Sequence, residues 1–101
     1  MSRYEEEARR LAGLPRAQRF EQLMSFPTDH TFTVIGRREG FSTALQTALS
    51  GAGHAEVCLV ERQSARGNYL SLSFTIRVTS GDELDALYLL LEALPGVAYL
   101  L

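Results

Sequence analysis

A single cysteine, Cys58, stands among the 101 residues, so no disulfide can close within the chain and nothing asks for an oxidising compartment. Charge of one sign is also scarce. Ten Lys and Arg against twelve Asp and Glu leave a formal net charge of −2, which gives no electrostatic reservoir for a phosphate backbone or an anionic membrane. Long apolar runs are missing too: the greasiest stretch, Leu87 to Leu101, is shorter than a bilayer span and carries Glu92 and Pro95 inside it. The sequence opens on Ser2, Arg3, Tyr4 and three glutamates, not on the apolar core of a signal peptide. Neither nucleic acid nor membrane is therefore expected as a partner, and the expected location is cytoplasmic.

What is present is an ordinary globular composition, 46% hydrophobic and 22% charged, enough to build one packed core without metal or disulfide staples. From Tyr4 to Leu11 the glutamates precede the arginines, which suits the helix dipole, and Glu5/Arg9 and Glu6/Arg10 are spaced for pairing. Gly13 interrupts this helix. Pro15 opens a second one, whose apolar positions Phe20, Leu23 and Met24 share a face before Pro27 stops it. Residues 1–26 read as a helical arm, and residues 27–101 as the domain proper.

Within that domain Thr31 to Ile35 is rich in β-branched and aromatic residues and predicts a first strand. The segment Gly36-Arg37-Arg38-Glu39-Gly40 turns the chain into an amphipathic helix marked by Phe41, Ala44, Leu45, Ala48, Leu49 and Ala52. Ala55 to Arg62 predicts a second strand and Gln63 to Gly67 a hairpin turn. Asn68 to Thr79 then alternates, with Leu70, Leu72, Phe74, Ile76 and Val78 on one face and Tyr69, Ser71, Ser73, Thr75 and Arg77 on the other. Ser80 and Glu83 fit a capping box before the stripe Leu84, Leu87, Tyr88, Leu91 and Leu94, and Val97 to Leu101 closes the chain as a short strand. The order predicts an α+β, ferredoxin-like βαββαβ sandwich. Its four-stranded antiparallel sheet has the order 4-1-3-2, with two helices on one face and the arm added.

Three pieces of the sequence carry a resemblance. Phe26-Pro27-Thr28 leads into Thr31-Phe32-Thr33-Val34-Ile35-Gly36; Ser64 to Ile76 reads SARGNYLSLSFTI; and Ala86-Leu87-Tyr88 is followed by a valine-bearing last strand. From about Phe20 onward the chain resembles the YbeD-like family of uncharacterised bacterial proteins. The resemblance implies a ferredoxin-like fold similar to ACT domains, the regulatory modules that bind amino acids. It implies no activity, and it assigns no role to the arm.

The loop after the first strand combines backbone donors, glycine freedom and positive charge, so Gly36, Arg37, Arg38 and Gly40 are candidate residues for an anionic ligand. Equally, Gly36 can serve a tight turn and the arginines can be solvated. Acylphosphatases share the fold and need a loop arginine and a sheet asparagine, here Arg38 and Asn68, but their glycine-rich phosphate loop is absent. RNA-recognition modules share it as well; their open face needs alternating aromatics, whereas here Tyr69 is followed by Ser71, Ser73 and Thr75. His30 and His54 lie at no metal-ligand spacing and read as surface histidines, Cys58 reads as a mid-strand hydrophobe, and no cofactor is implied. A second candidate surface is Tyr69, Ser71, Ser73 and the surplus Leu89 of the last helix. The expectation is a non-enzymatic ACT-like regulatory or ligand-sensing module, against a protein-binding adaptor that uses arm and open sheet, or a small acylphosphatase-like hydrolase. Its partners would be a small anionic metabolite, a protein, or a second copy.

Overall fold

The computed structural model describes residues 2–101, and within them every side chain except that of Arg38. The chain runs α1 (Arg3–Ala12), α2 (Arg16–Leu23), β1 (Thr28–Arg37), α3 (Arg38–Gly51), β2 (Val60–Gln63), β3 (Tyr69–Val78), α4 (Gly81–Glu92) and β4 (Val97–Leu100). The four strands form one antiparallel sheet in the order β2-β3-β1-β4, the expected 4-1-3-2 order viewed from its other edge. This is the α+β ferredoxin-like arrangement.

β1 and β3 form the long central pair, and their register puts Phe32 opposite Phe74 and Val34 opposite Leu72. Alternation sends these side chains, with Leu70, Ile76 and Val78, beneath the helices. There they meet Phe41, Leu45 and Leu49 of α3 and Leu84, Leu87 and Leu91 of α4, all buried. The rings of Phe32 and Phe74 stack with centroids 5.2 Å apart. On the opposite face no helix of the described residues covers the strands, and the hydroxyls pair across them: Thr31 Oγ1 with Thr75 Oγ1 at 2.8 Å, Thr33 Oγ1 with Ser73 Oγ at 3.0 Å.

α4 starts where the sequence placed it, with the Ser80 hydroxyl accepting from the Glu83 N–H at 3.1 Å. The reciprocal half of a capping box is replaced, because the Glu83 carboxylate accepts from the Thr79 hydroxyl at 2.7 Å. Leu89 is left 56% exposed on the outer side of this helix.

The two helices of the arm differ. α1 buries none of its residues, while α2 is tied to α4: Arg16 pairs with Asp85 and Glu92, its guanidinium lies 5.5 Å from the Tyr88 ring centroid, and Phe20 stacks on that ring at 5.7 Å. A carboxylate oxygen of Glu21 accepts from the Gly81 N–H at 2.6 Å, and so satisfies a helix-start donor from outside the helix.

Several boundaries differ from the sequence reading. β1 is longer, starting at Thr28 and continuing through Gly36 to Arg37. β2 is shorter: Ala55 to Leu59 form no ladder with β3, which Val60 is the first to join. Val57 and Leu59 nevertheless pack against the core, so the apolar alternation that suggested a strand reflects burial without pairing. Cys58 is accordingly exposed in a connecting segment and is no mid-strand core residue. His30 is no surface histidine: it is half-buried, and its Nε2 lies 2.9 Å from the Tyr88 hydroxyl.

Candidate functional site

At one end of the sheet three connections converge. The first is the β1–α3 junction, where Glu39 is extended, Gly40 takes φ +70°, and regular helix begins only at Phe41. Positive φ at this point is cheap for glycine and strained for most other residues. Since glycine has no side chain, it leaves the first amides of α3 without a side-chain cap.

The second connection is the β2–β3 hairpin, closed by Ser64: its N–H donates to the Tyr69 carbonyl at 3.0 Å and its hydroxyl accepts from the Tyr69 N–H at 3.1 Å. The third is the α4–β4 turn, held to the first by the Arg37 N–H donating to the Gly96 carbonyl at 3.1 Å. Between them opens a cleft of about 760 Å³ lined by Arg37, Glu39, Gly40, Ala44, Gly67, Asn68, Tyr69, Pro95 and Gly96. That volume suits a small metabolite. Arg37 is exposed and makes no ion pair among the described residues. With the helix start it supplies positive potential on one wall; Glu39 is the opposing charge.

The candidate loop residues thus divide. Arg37 and Gly40 line the cleft, together with Tyr69 from the other candidate surface and Asn68. The side chain of Arg38 lies outside the described part of the structure. Gly36 is not on the cleft wall: it is buried in β1 with the Phe41 ring against its Cα, and a Cβ there would stand 2.6–2.7 Å from three ring carbons. Its physical role is to admit that ring.

The second candidate surface also divides. Tyr69, Ser71 and Ser73 share the open sheet face, whereas Leu89 belongs to the helical layer. The open face gains members that sequence reading missed. Arg62 stands opposite Ser71 and Val60 opposite Ser73 on one side, and Tyr99 stands opposite Ile35 on the other. Val60 and Tyr99 are 66% and 67% exposed. Only the register reveals them, because strands of four residues carry too little alternation to fix their faces.

A smaller cleft of about 620 Å³ at the opposite end of β3 is lined by His54, Glu56, Cys58 and Arg77 among others. Among the described residues no group of three or more His, Cys, Asp or Glu could hold a metal ion, and no helix is long and apolar enough to cross a membrane.

The family described as "Protein of unknown function (DUF493)" matches residues 21–101. The chain belongs to the DUF493 family. This is the YbeD-like group of the sequence resemblance. A UPF0250 protein of Bordetella pertussis (strain Tohama I) is 37% identical over 84 residues, covering 80% of this chain and 92% of that one. One from Nitrosomonas europaea is 33% identical over 84 residues, with 80% and 97% covered. Another, from Shewanella putrefaciens, is 29% identical over 80 residues, with 78% and 91% covered. No solved structure matches the chain. The DUF493 description and the names of these relatives carry no activity, ligand or partner. The matched region begins inside α2, so α1 and the start of α2 precede it.

Proposed function

We propose that this DUF493 protein is a non-catalytic, ACT-like regulatory module of the cytoplasm that takes a small anionic metabolite in the cleft between the β1–α3, β2–β3 and α4–β4 connections. The observation that carries this reading is the convergence of Arg37, Gly40, Asn68 and Tyr69, from two connections distant in sequence, around one opening. Uncapped amides at the start of α3 and an unpaired guanidinium favour a carboxylate or phosphate. The Asn68 amide and the Tyr69 hydroxyl supply neutral hydrogen-bonding groups that can fix its orientation.

Thermal unfolding with amino acids, nucleoside monophosphates and inorganic phosphate as probes tests the reading. A probe at about 100 times its Kd stabilises the fold by roughly 2.7 kcal/mol, a rise in Tm on the order of 10 °C for a domain of this size. Arg37→Ala and Asn68→Ala should lower that rise and leave the melting of the free protein unchanged, since both side chains are exposed. A screen of all three classes without any rise rejects the sensor reading.

A second reading, a protein-binding adaptor, is favoured by α1, which has a capped start at Ser2 and buries nothing. A protein that binds the full chain and is lost on deleting residues 2–13, with Tm unchanged, would support it.

A further inference from the structure

The edge of β3 that faces β2 is longer than β2 covers. Tyr69 meets Ser64 through both its N–H and its C=O, and Thr33, opposite Ser73, gives both of its own backbone groups to Leu101. Alternation then turns the N–H and C=O of Ser71, Ser73, Thr75 and Arg77 toward β2. Since β2 begins at Val60, opposite Ser73, Thr75 and Arg77 have no strand beside them. Among the described residues neither has a backbone partner on that side.

The segment that precedes β2 stands off from this edge, and the cleft of about 620 Å³ lies between them, with Glu56 and Cys58 on one wall and Thr75 and Arg77 on the other. Its side chains nonetheless follow a strand's alternation, since Val57 and Leu59 pack against the core while Glu56 and Cys58 are exposed. Continuing the β2–β3 register beyond Val60 sets Cys58 opposite Thr75 and Glu56 opposite Arg77. Those are the two residues with free backbone groups. Val57 falls opposite Ile76 and Leu59 opposite Phe74, both on the core side, so no side chain has to change face. What holds the segment back is a turn in which the Val57 N–H donates to the His54 carbonyl at 3.4 Å.

We propose that residues 55–59 are a strap that closes onto β3 and lengthens β2 along its free edge. In the closed state Thr75 exchanges both backbone hydrogen bonds with Cys58 and Arg77 does so with Glu56, four bonds gained against the one lost at His54. Glu56 then joins Asp29, which lies 3.5 Å from Arg77, as a second carboxylate beside that guanidinium. Fixing the strap's backbone costs entropy similar in size to this net gain, so both states are populated. The closed sheet has no cleft at this end. A molecule held in the cleft and a closed strap therefore exclude each other, which makes the strap a two-state element that such a molecule would bias.

Oxidation of a Thr75→Cys chain by diamide tests the proposal, with Cys58 as the other thiol. A disulfide needs Cα atoms within roughly 7 Å, and among the open-face positions of β3 the continued register gives that only at Thr75, so Thr75→Cys should link within one chain about tenfold faster than Ser73→Cys or Arg77→Cys. Equal rates, or no link, overturn the proposal. Native-state hydrogen exchange supplies a second measurement. Cys58→Pro deletes an N–H that has no backbone partner in the open state among the described residues, so only the closed state suffers. The Thr75 and Arg77 amides should then exchange roughly two- to tenfold faster than in the wild type, the range for a closed state between even and ten-to-one occupancy. Unchanged rates overturn the proposal, and so does wild-type protection that grows with protein concentration, which would place a second copy on this edge. The crosslink needs no proline, so a Cys58→Pro chain that failed to fold would leave the test intact.

Discussion

Gly81, the first residue of α4, lies so close to the backbone carbonyl of Ala17 in α2 that no side chain fits between them; even a Cβ would overlap that oxygen and crowd the Glu21 Cγ. The glycine is a packing requirement. It lets α2 settle against the start of α4, where Glu21 accepts from the Gly81 N–H and Arg16 reaches Asp85 and Glu92.

Gly81→Ala should therefore destabilise the protein by about 1–3 kcal/mol, the usual cost of forcing a methyl into a packed contact. Glycine to alanine inside an exposed helix would instead stabilise by up to about 1 kcal/mol. Urea unfolding gives the sign. A stabilised Gly81→Ala protein would mean that α2 does not rest on α4 in solution.

His30 ties β1 to the same helix pair. Its ring meets Phe32 edge-on at 4.7 Å and its Nε2 reaches the Tyr88 hydroxyl, and burial lowers its pKa from the ordinary 6.5. A lowered folded-state pKa means that the unfolded chain takes up the proton first. The stabilisation from neutral His30 is thus complete above about pH 6.5 and declines as pH falls toward the folded-state value. His30→Gln should flatten that acid limb. Comparing the slope of unfolding free energy between pH 7.5 and 5.5 in the two proteins checks it, and identical slopes would remove His30 as the source.

The two faces of β3 should respond very differently to truncation. Phe74 is buried and stacked on Phe32, so Phe74→Ala should cost on the order of 3–5 kcal/mol. Ser73 loses only its hydroxyl bond to Thr33 on the open face, a change of about 1 kcal/mol or less. Equal losses on denaturant unfolding would contradict the register of the central pair.

Those faces were legible in the sequence because Leu70 to Val78 separates apolar from hydroxyl side chains without a break, a pattern that a half-covered sheet imposes. The turn after β1 was legible only as the segment Gly36 to Gly40: the strand runs on through Gly36 to Arg37, and the positive φ falls at Gly40 and not at Gly36. The position of Tyr99 was not. It depends on the β1–β4 register, which shifts between Ile35 and Gly36, and nothing within a four-residue strand records such a shift. Nor was the gathering of Arg37 with Asn68, or the seating of α2 on Gly81, since each joins residues that only the folded chain brings near. Local pattern specified the elements, and long-range contact specified the site.

The glycines at the two ends of the candidate loop should separate by mechanism. Gly36 adopts ordinary strand geometry, but its missing Cβ leaves room for the Phe41 ring. Gly36→Ala has to displace that ring within the core, at a cost of about 1–3 kcal/mol. Gly40 has the opposite character: nothing lies within 4 Å of where its Cβ would be, yet its φ is +70°. Gly40→Ala should cost about 1 kcal/mol, a penalty of conformation and not of space. Because asparagine tolerates that region, Gly40→Asn should recover part of the loss, whereas no asparagine can rescue Gly36. Phe41→Leu, which removes the flat ring, should make Gly36→Ala less costly and leave the cost of Gly40→Ala unchanged. A double-mutant cycle by denaturant unfolding measures both couplings. Coupling of Phe41 to Gly40 but not to Gly36 would reverse the two roles.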